Sequence, residues 1–396
     1  MPDKPSFSGC VLQVVPELDA GGVEQTVVDV ARAVIEAGGR SIVATKGGRM
    51  EPVLTKMGAT VILMPVHSKN PFVQWLNVGA LRRIIRKHAV DIVHVRSRAP
   101  ALAAIKAART ENIRSVATYA GIYNAKSGLK RWYNGAMVRA DMTIANSEFT
   151  RAHILKTYAK DVAPERVISI PRGVDLKRFD PESFDVPRIM KMEEEWGTNS
   201  DDKRVRFLLA ARLTKWKGQT LILEAARILR AEGVENFHIV MAGDEQGRTQ
   251  YLQSLLKTIN DYGLTEHVRM AGHVTDMPSA YHLCHYALAP SLEPEAFGRT
   301  AVEPQAMQRP PLAADHGATV ETVVPGETGW LVKPKDARAW ADAMKAAMDL
   351  PERTRFEMGR AGRRRVRERF SLEAMCAATL DVYRALLISS ERKFHE

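Results

Sequence analysis

The chain has 396 residues, 45% of them hydrophobic and 26% charged, with a formal net charge of +11. That composition excludes wholesale disorder, collagen and coiled coil, and the length suits two or three domains. No apolar run approaches the roughly 18 residues of a membrane span, and the first eight residues lack the apolar core of a signal peptide, so a cytoplasmic protein is expected. Three widely separated cysteines, Cys10, Cys284 and Cys376, make no disulfide framework.

Strands alternate with helices along the chain. Val11–Val15 reads as a strand ending at Pro16, and Gly21-Gly22 opens a helix through Val27, Val30, Ala31, Val34 and Ile35. Strands follow at Ser41–Thr45, Val61–Met64, Asp91–Val95, Ser115–Thr118 and Met142–Asn146, with helices around Leu81, Ile84 and Ile85 and over Ala101–Ala108. The series restarts at Arg206–Ala210 and continues through Phe237–Ala242, His267–Ala271, His285–Ala289, Leu312–Ala314 and Trp330–Val332. Strands spaced by helical patterns of 10–15 residues signal parallel sheets with crossover helices. The expected fold is α/β, with two doubly wound Rossmann-like domains facing a central cleft. The first covers 1–180 and the second 203–375. The Pro-, Asp- and Glu-rich stretch 181–202 reads as a linker with one short helix near Met190–Trp196. The tail, 376–396, ends an amphipathic helix, Leu372–Ile388, that is expected to brace the first domain.

The charge is unevenly spread. Residues 51–150 hold 15 Lys+Arg against 5 Asp+Glu, whereas residues 201–396 hold 28 against 26. A basic zone confined to one region argues for an anionic partner there: a membrane, an acidic glycolipid or nucleic acid. A solvated basic face is the plainer reading. Arg82, Arg83, Arg86 and Lys87 share one predicted helix, and Lys126, Lys130 and Arg131 lie in a following loop. No aromatic pattern or known module accompanies them, which argues against nucleic acid.

Familiar phosphate motifs are missing. Neither a P-loop nor G-x-G-x-x-G occurs, and there is no Asp-x-Asp pair to hold a divalent ion. His282, Cys284 and His285 are close together but lack a fourth ligand nearby, so packing is their expected role. The strongest local pattern is the run 291–303, Ser-Leu-Glu-Pro-Glu-Ala-Phe-Gly-Arg-Thr-Ala-Val-Glu. It follows a strand and opens a helix, Thr300–Met307, near whose N-terminus Gly298 and Thr300 fall. Free N–H groups there attract phosphate. Glu295 and Glu303 are acceptors suited to sugar or ribose hydroxyls; taken alone they are a loop charge and a surface helix residue. Arg212 and Lys217 flank a strand-to-helix turn and can cradle a diphosphate without metal. Gly243-Asp244 and Gly21-Gly22 follow other strands at the same kind of edge.

Together, Gly21-Gly22-Val23-Glu24, Arg212 with Lys217-Gly218, and Glu295-Ala-Phe-Gly with Glu303 resemble glycosyltransferase family 4, retaining enzymes of GT-B architecture. The resemblance covers about residues 10–385. Tyr119–Tyr133, Ala145-Asn146-Ser147 and Pro171-Arg172-Gly173-Val174-Asp175 look more narrowly like bacterial enzymes that build lipopolysaccharide core or related surface glycans. The resemblance implies transfer of a sugar from a nucleotide-diphosphate sugar to a glycolipid or glycan of the bacterial envelope. It implies no metal and no further cofactor; the basic zone, separately, is expected to attach the protein peripherally to the anionic inner face of the cytoplasmic membrane. Arg212 and Lys217 would bind the donor diphosphate, Glu303 the ribose and Glu295 the donor sugar. The backbone at Phe297, Gly298, Arg299 and Thr300 would meet sugar and phosphates. Gly21 and Gly22 would lie nearest phosphate and acceptor, Gly243 would add to the donor site, and Val274 would sit near the base. A non-catalytic nucleotide-sugar-binding relative and a nucleotide-sugar epimerase share the layout.

The sequence departs from the family at Pro304, Gln308, Pro311 and Ala318, and Pro304 is expected in the tolerant first turn of its helix. The sharpest departure is Ala120 in Thr118-Tyr119-Ala120-Gly121, where the resembling enzymes commonly have His at the reaction centre. A methyl group can neither accept a hydrogen bond nor move a proton. Ala120 is therefore read either as drift, with His94 or His67 filling in, or as a disabled site that binds donor but transfers poorly.

Overall fold

The computed structural model describes residues 6–19, 21–123, 127–198 and 201–392, with side chains to 388. The chain divides into two compact units: residues up to Gly173 together with those from Leu372, and Val174–Ser371.

The first unit holds a seven-stranded sheet, all neighbouring pairs parallel. Its strands are β1 Cys10–Val14, β2 Arg40–Thr45, β3 Thr60–Leu63, β4 Ile92–Val95, β5 Arg114–Tyr119, β6 Met142–Ala145 and β7 Val167–Ser169, in the order β3-β2-β1-β4-β5-β6-β7. The order reverses beside β1, so the connections after β1 and β4 diverge at the carboxyl edge, where such sheets bind ligands. The helix Gly22–Glu36 buries Val27, Val30, Ala31 and Val34, spaced to line one face. The helix Leu372–Arg392 packs on that helix, with Met375, Leu380, Val382, Tyr383 and Leu386 buried in a cluster with Val30 and Val34. At roughly 1.5–3 kcal/mol for each large buried side chain, this apolar face suffices to dock the tail helix. Strand β7 is too short and irregular to stand out in the sequence.

The second unit holds a six-stranded parallel sheet: β8 Val205–Ala210, β9 Phe237–Ala242, β10 Val268–Gly272, β11 Tyr286–Ala289, β12 Pro311–Ala314 and β13 Trp330–Val332. The order is β10-β9-β8-β11-β12-β13, with its reversal beside β8. Segment 181–202 belongs to this unit; its helix Val186–Trp196 starts under an Asp185 cap and buries Trp196. Pro311 begins β12, the strand position where a missing N–H is tolerated.

Candidate donor site

Parallel pairing puts every connection that follows a strand of the second unit at one edge. Arg212, Lys217 and Gly218 follow β8, Gly243 follows β9, Val274 follows β10, and the run 290–298 follows β11. Two backbone approaches fix these loops. Gly218 has φ +81°, and a Cβ there would lie 2.1 Å from the Pro290 carbonyl oxygen; a Cβ on Gly243 would lie 1.9 Å from that of Ala211. Only glycine fits where two loops touch so closely. Leu292 N–H donates to the Trp216 carbonyl at 2.7 Å, tying the β8 and β11 loops together.

Lys217 and Glu295 meet at that junction. Lys217 Nζ lies 2.6 Å from Glu295 Oε1, with the two side chains only 10% and 13% exposed. Ser291 Oγ donates to the same carboxylate oxygen, and the ammonium sits 4.3 Å from the centre of the Trp216 ring. The Glu295 backbone is also held: Ala318 N–H donates to its carbonyl at 2.9 Å, and a Cβ on Gly317 would lie 2.7 Å from its nitrogen. His316 Nε2 reaches the Ser291 carbonyl at 2.8 Å. Sequence reading missed Ser291 as a clamp on Glu295; only its place in the same short run hinted at it.

The second glutamate is paired too. Gly298, at φ +81°, precedes the helix Arg299–Ala306, and Arg299 Nε donates to Glu303 Oε1 at 2.7 Å across one turn. Glu303 is buried, and the Tyr281 hydroxyl lies 3.5 Å from its other oxygen. Phe297 is buried against Phe370, so it is the backbone of 297–300 that can meet a ligand. Thr300 is half-buried beside it. Pro304 is the sixth helical residue and not a first-turn one as the sequence suggested. The helical N–H that Thr300's carbonyl would accept is therefore missing. Arg212 is exposed, and its side chain has no partner among the described residues. Val274 is half-buried against the cluster that holds Phe297.

The remaining predicted residues fall in the first unit. Gly21 has φ +150° and caps the helix Gly22–Glu36, its carbonyl accepting from Gln25 N–H at 3.1 Å. Ala120 follows β5 and borders a pit of about 20 Å³. Arg82 and Arg86 both bind Glu111 at 2.6 Å, which holds that carboxyl below its usual range. Arg131 binds Asp161 at 2.6 Å. The basic helix is thus partly neutralised from within, and Arg83, Lys87 and Lys130 remain exposed without an ion-pair partner among the described residues. Lys126 lies outside the described residues. Exposed apolar side chains lie on the same helices as these cations: Phe72, Trp75 and Leu76 on Pro71–Lys87, and Leu129 and Trp132 on Gly128–Asn134. His94 is fully buried and His67 exposed. His285 Nδ1 accepts from Arg206 N–H at 2.9 Å, while burial pushes the Cys284 thiol up to about 12.

Two family models match, "Glycosyltransferase Family 4" over residues 20–178 and "Glycosyl transferases group 1" over 190–365. A D-inositol 3-phosphate glycosyltransferase of Kineococcus radiotolerans is 31% identical over 262 residues, covering 62% of this chain and 57% of its own. The chain spans a little over half the length of the first such relatives it matches, 57% and 55%. The crystal structure of a glycosyltransferase from Rickettsia africae superposes with TM-score 0.88 at 32% identity, covering 96% of this chain and 99% of that one. Anabaena HepE, solved in complex with UDP and glucose, shares the fold at TM-score 0.81 and 18% identity, over 95% of this chain and 100% of its own. With two Rossmann-like units, a family model on each, and a relative 32% identical along nearly its whole length, the chain belongs to the family 4 glycosyltransferases of the GT-B class.

Proposed function

We propose that the chain moves a sugar from a nucleotide-diphosphate sugar to a glycolipid or glycan of the bacterial envelope, with retention at the anomeric carbon. The observation that carries this reading is the buried Lys217–Glu295 pair beside Arg299–Glu303 at one sheet edge. A Lys ammonium has three donors, and Glu295 takes one; the others are available to a phosphate. Arg212 and Lys217 hold the diphosphate and steady it as it leaves. Glu303 accepts from ribose hydroxyls and Glu295 from the donor sugar. The N–H groups of 297–300 and Gly243 complete the cradle, and Val274 borders the base. The cations supply the charge that a metal would otherwise bring, so none is required. The complexes of HepE with UDP and with UDP-glucose make UDP the first nucleotide to try.

Attachment to an anionic membrane rests on Arg83, Lys87 and Lys130 with the exposed Phe72, Trp75, Leu129 and Trp132 on the same two helices. Among the described residues no helix is long and apolar enough to cross a membrane. Ala120 offers no proton-transfer group, so turnover is slow. The reading is tested by proton NMR of the sugar released from an α-linked donor. An α product at early times supports a retaining transferase; a β product, or epimerised donor with nothing released, excludes it.

A further inference from the structure

Arg96 follows β4 in the first unit and is 3% exposed. Its guanidinium has no carboxylate within 4 Å among the described residues, and its Nε finds no hydrogen-bond partner. Nη1 lies 3.3 Å from His94 Nε2 and 3.5 Å from Thr118 Oγ1, both neutral groups. Burial, then Arg96 itself, holds His94 well below its usual range, and His94 Nδ1 is engaged by the Tyr383 hydroxyl. The Cys376 thiol is pushed up to about 12 by burial, so it too is uncharged. Asp29 acts on Arg96 only from beyond ion-pair distance, and its Oδ1 accepts from Gln25 Nε2 at 2.9 Å. A buried charge without a partner is costly, and proteins keep one where a ligand supplies the counter-charge.

The geometry says where that ligand sits. Arg96 lines the pit beside Ala120, and so do Arg172, Thr26, Thr118 and Asn146. Arg172 stands on the loop after β7 and is half-exposed, close enough to act on the Glu24 carboxyl. Asn146 is 2% exposed, and its amide oxygen is unpartnered. Turned over, that amide offers two donors. A pit of about 20 Å³ admits one water-sized group. It therefore takes a single oxygen, while the rest of the anion stays at the mouth.

We propose that Arg96 and Arg172 form an anion pocket beside Ala120 that holds a phosphoryl or carboxylate oxygen of the sugar acceptor. The anion is assigned to the acceptor on the strength of the transferase reading; the pocket itself stands on the first unit alone. Ala120 keeps the pit open, since any larger side chain would occupy it.

The test is thermal unfolding of the full chain with UDP at saturation, titrated with inorganic phosphate, glucose 6-phosphate or glucose. Both phosphates should raise the melting temperature, glucose 6-phosphate at the lower concentration, and glucose should not. Losing one charge-assisted contact in Arg172→Gln should weaken the phosphate response roughly 10- to 100-fold. Arg96→Gln should do the same. Ala120→Leu, which fills the pit without touching either cation, controls for misfolding of the Arg96 variant and should also abolish the response. Equal responses in wild type, Arg172→Gln and Ala120→Leu, or no phosphate response in wild type, would overturn the pocket. A response to inorganic phosphate with none to glucose 6-phosphate would overturn its assignment to a sugar acceptor. Failure of UDP to stabilise any form counts against the transferase reading alone, because the loss of the phosphate response in Arg172→Gln is read independently of it.

Discussion

Replacing Glu295 by Ala should separate stability from binding at the donor site. The wild-type carboxylate accepts from Lys217 Nζ at 2.6 Å and from Ser291 Oγ, and both members of the ion pair are nearly buried. Its removal strands an ammonium that is 10% exposed and leaves the Ser291 hydroxyl without its acceptor. Breaking one partner of a buried pair costs about 3–5 kcal/mol. The Trp216 face, 4.3 Å away, goes on holding the ammonium and limits that cost by on the order of 0.5–1 kcal/mol. A net loss near 3 kcal/mol in a unit of this size lowers the melting temperature by roughly 6–12 °C. Nucleotide binding should move the other way relative to stability. Lys217, released from Glu295, still has its donors, and a bound diphosphate supplies the missing negative charge. Nucleotide should therefore stabilise Glu295→Ala at least as strongly as wild type, while sugar turnover falls with the lost hydroxyl contact. Calorimetry, unfolding curves and a sugar-release assay on both proteins check this. An unchanged melting temperature would refute the buried pair as a stabilising element. Affinity falling by the same factor as turnover would refute the division of roles.

Other substitutions probe the rest of the site. Arg212→Ala and Lys217→Ala should each weaken nucleoside diphosphate binding by about 1.5–3 kcal/mol by calorimetry in chelator. Glu303→Ala should damage nucleotide affinity more than Glu295→Ala does, and equal affinities would remove Glu303 from the ribose. Ala120→His should raise donor hydrolysis at least about tenfold, the lower reach of acid–base assistance, with little change in nucleotide affinity. The same imidazole fills the pit, so the phosphate response should disappear; equal hydrolysis by the two forms would take position 120 out of the chemistry. In vesicle flotation the protein should bind anionic and not neutral liposomes, and Trp75→Ala with Trp132→Ala should release it. Equal binding to both vesicle types, or to neither, would refute attachment through this face.

The alternation of apolar runs with helical stretches made both sheets legible, because strands buried on both faces read as continuous Val, Ile and Leu. Strand β7 escaped, since three residues carry no periodicity. The candidate donor-site motif stood out because Glu295, Gly298 and Glu303 lie within one short run, but the contacts that clamp it did not. The Lys217–Glu295 pair joins residues 78 positions apart, and which cation a carboxylate meets depends on how two loops pack. The same limit affected the basic zone. Arg82 and Arg86 looked free on a helix, and Glu111, from a distant part of the chain, takes them both. Arg96 gave no signal at all, because an arginine among polar neighbours reads as surface until burial is known. Pro304 was expected near the first turn, but even the expected start at Thr300 makes it the fifth residue; with the helix starting at Arg299 it is the sixth, in the second turn.

The central claim is that the second unit binds a nucleotide-diphosphate sugar through its own cations and releases the sugar. The most direct measurement is nucleoside diphosphate release from a panel of nucleotide sugars in chelator, wild type beside Glu295→Ala. One donor should be turned over slowly by wild type without metal, and more slowly still by the variant. Strict dependence on magnesium, isomerisation of the donor, or equal rates for the two proteins would contradict the account.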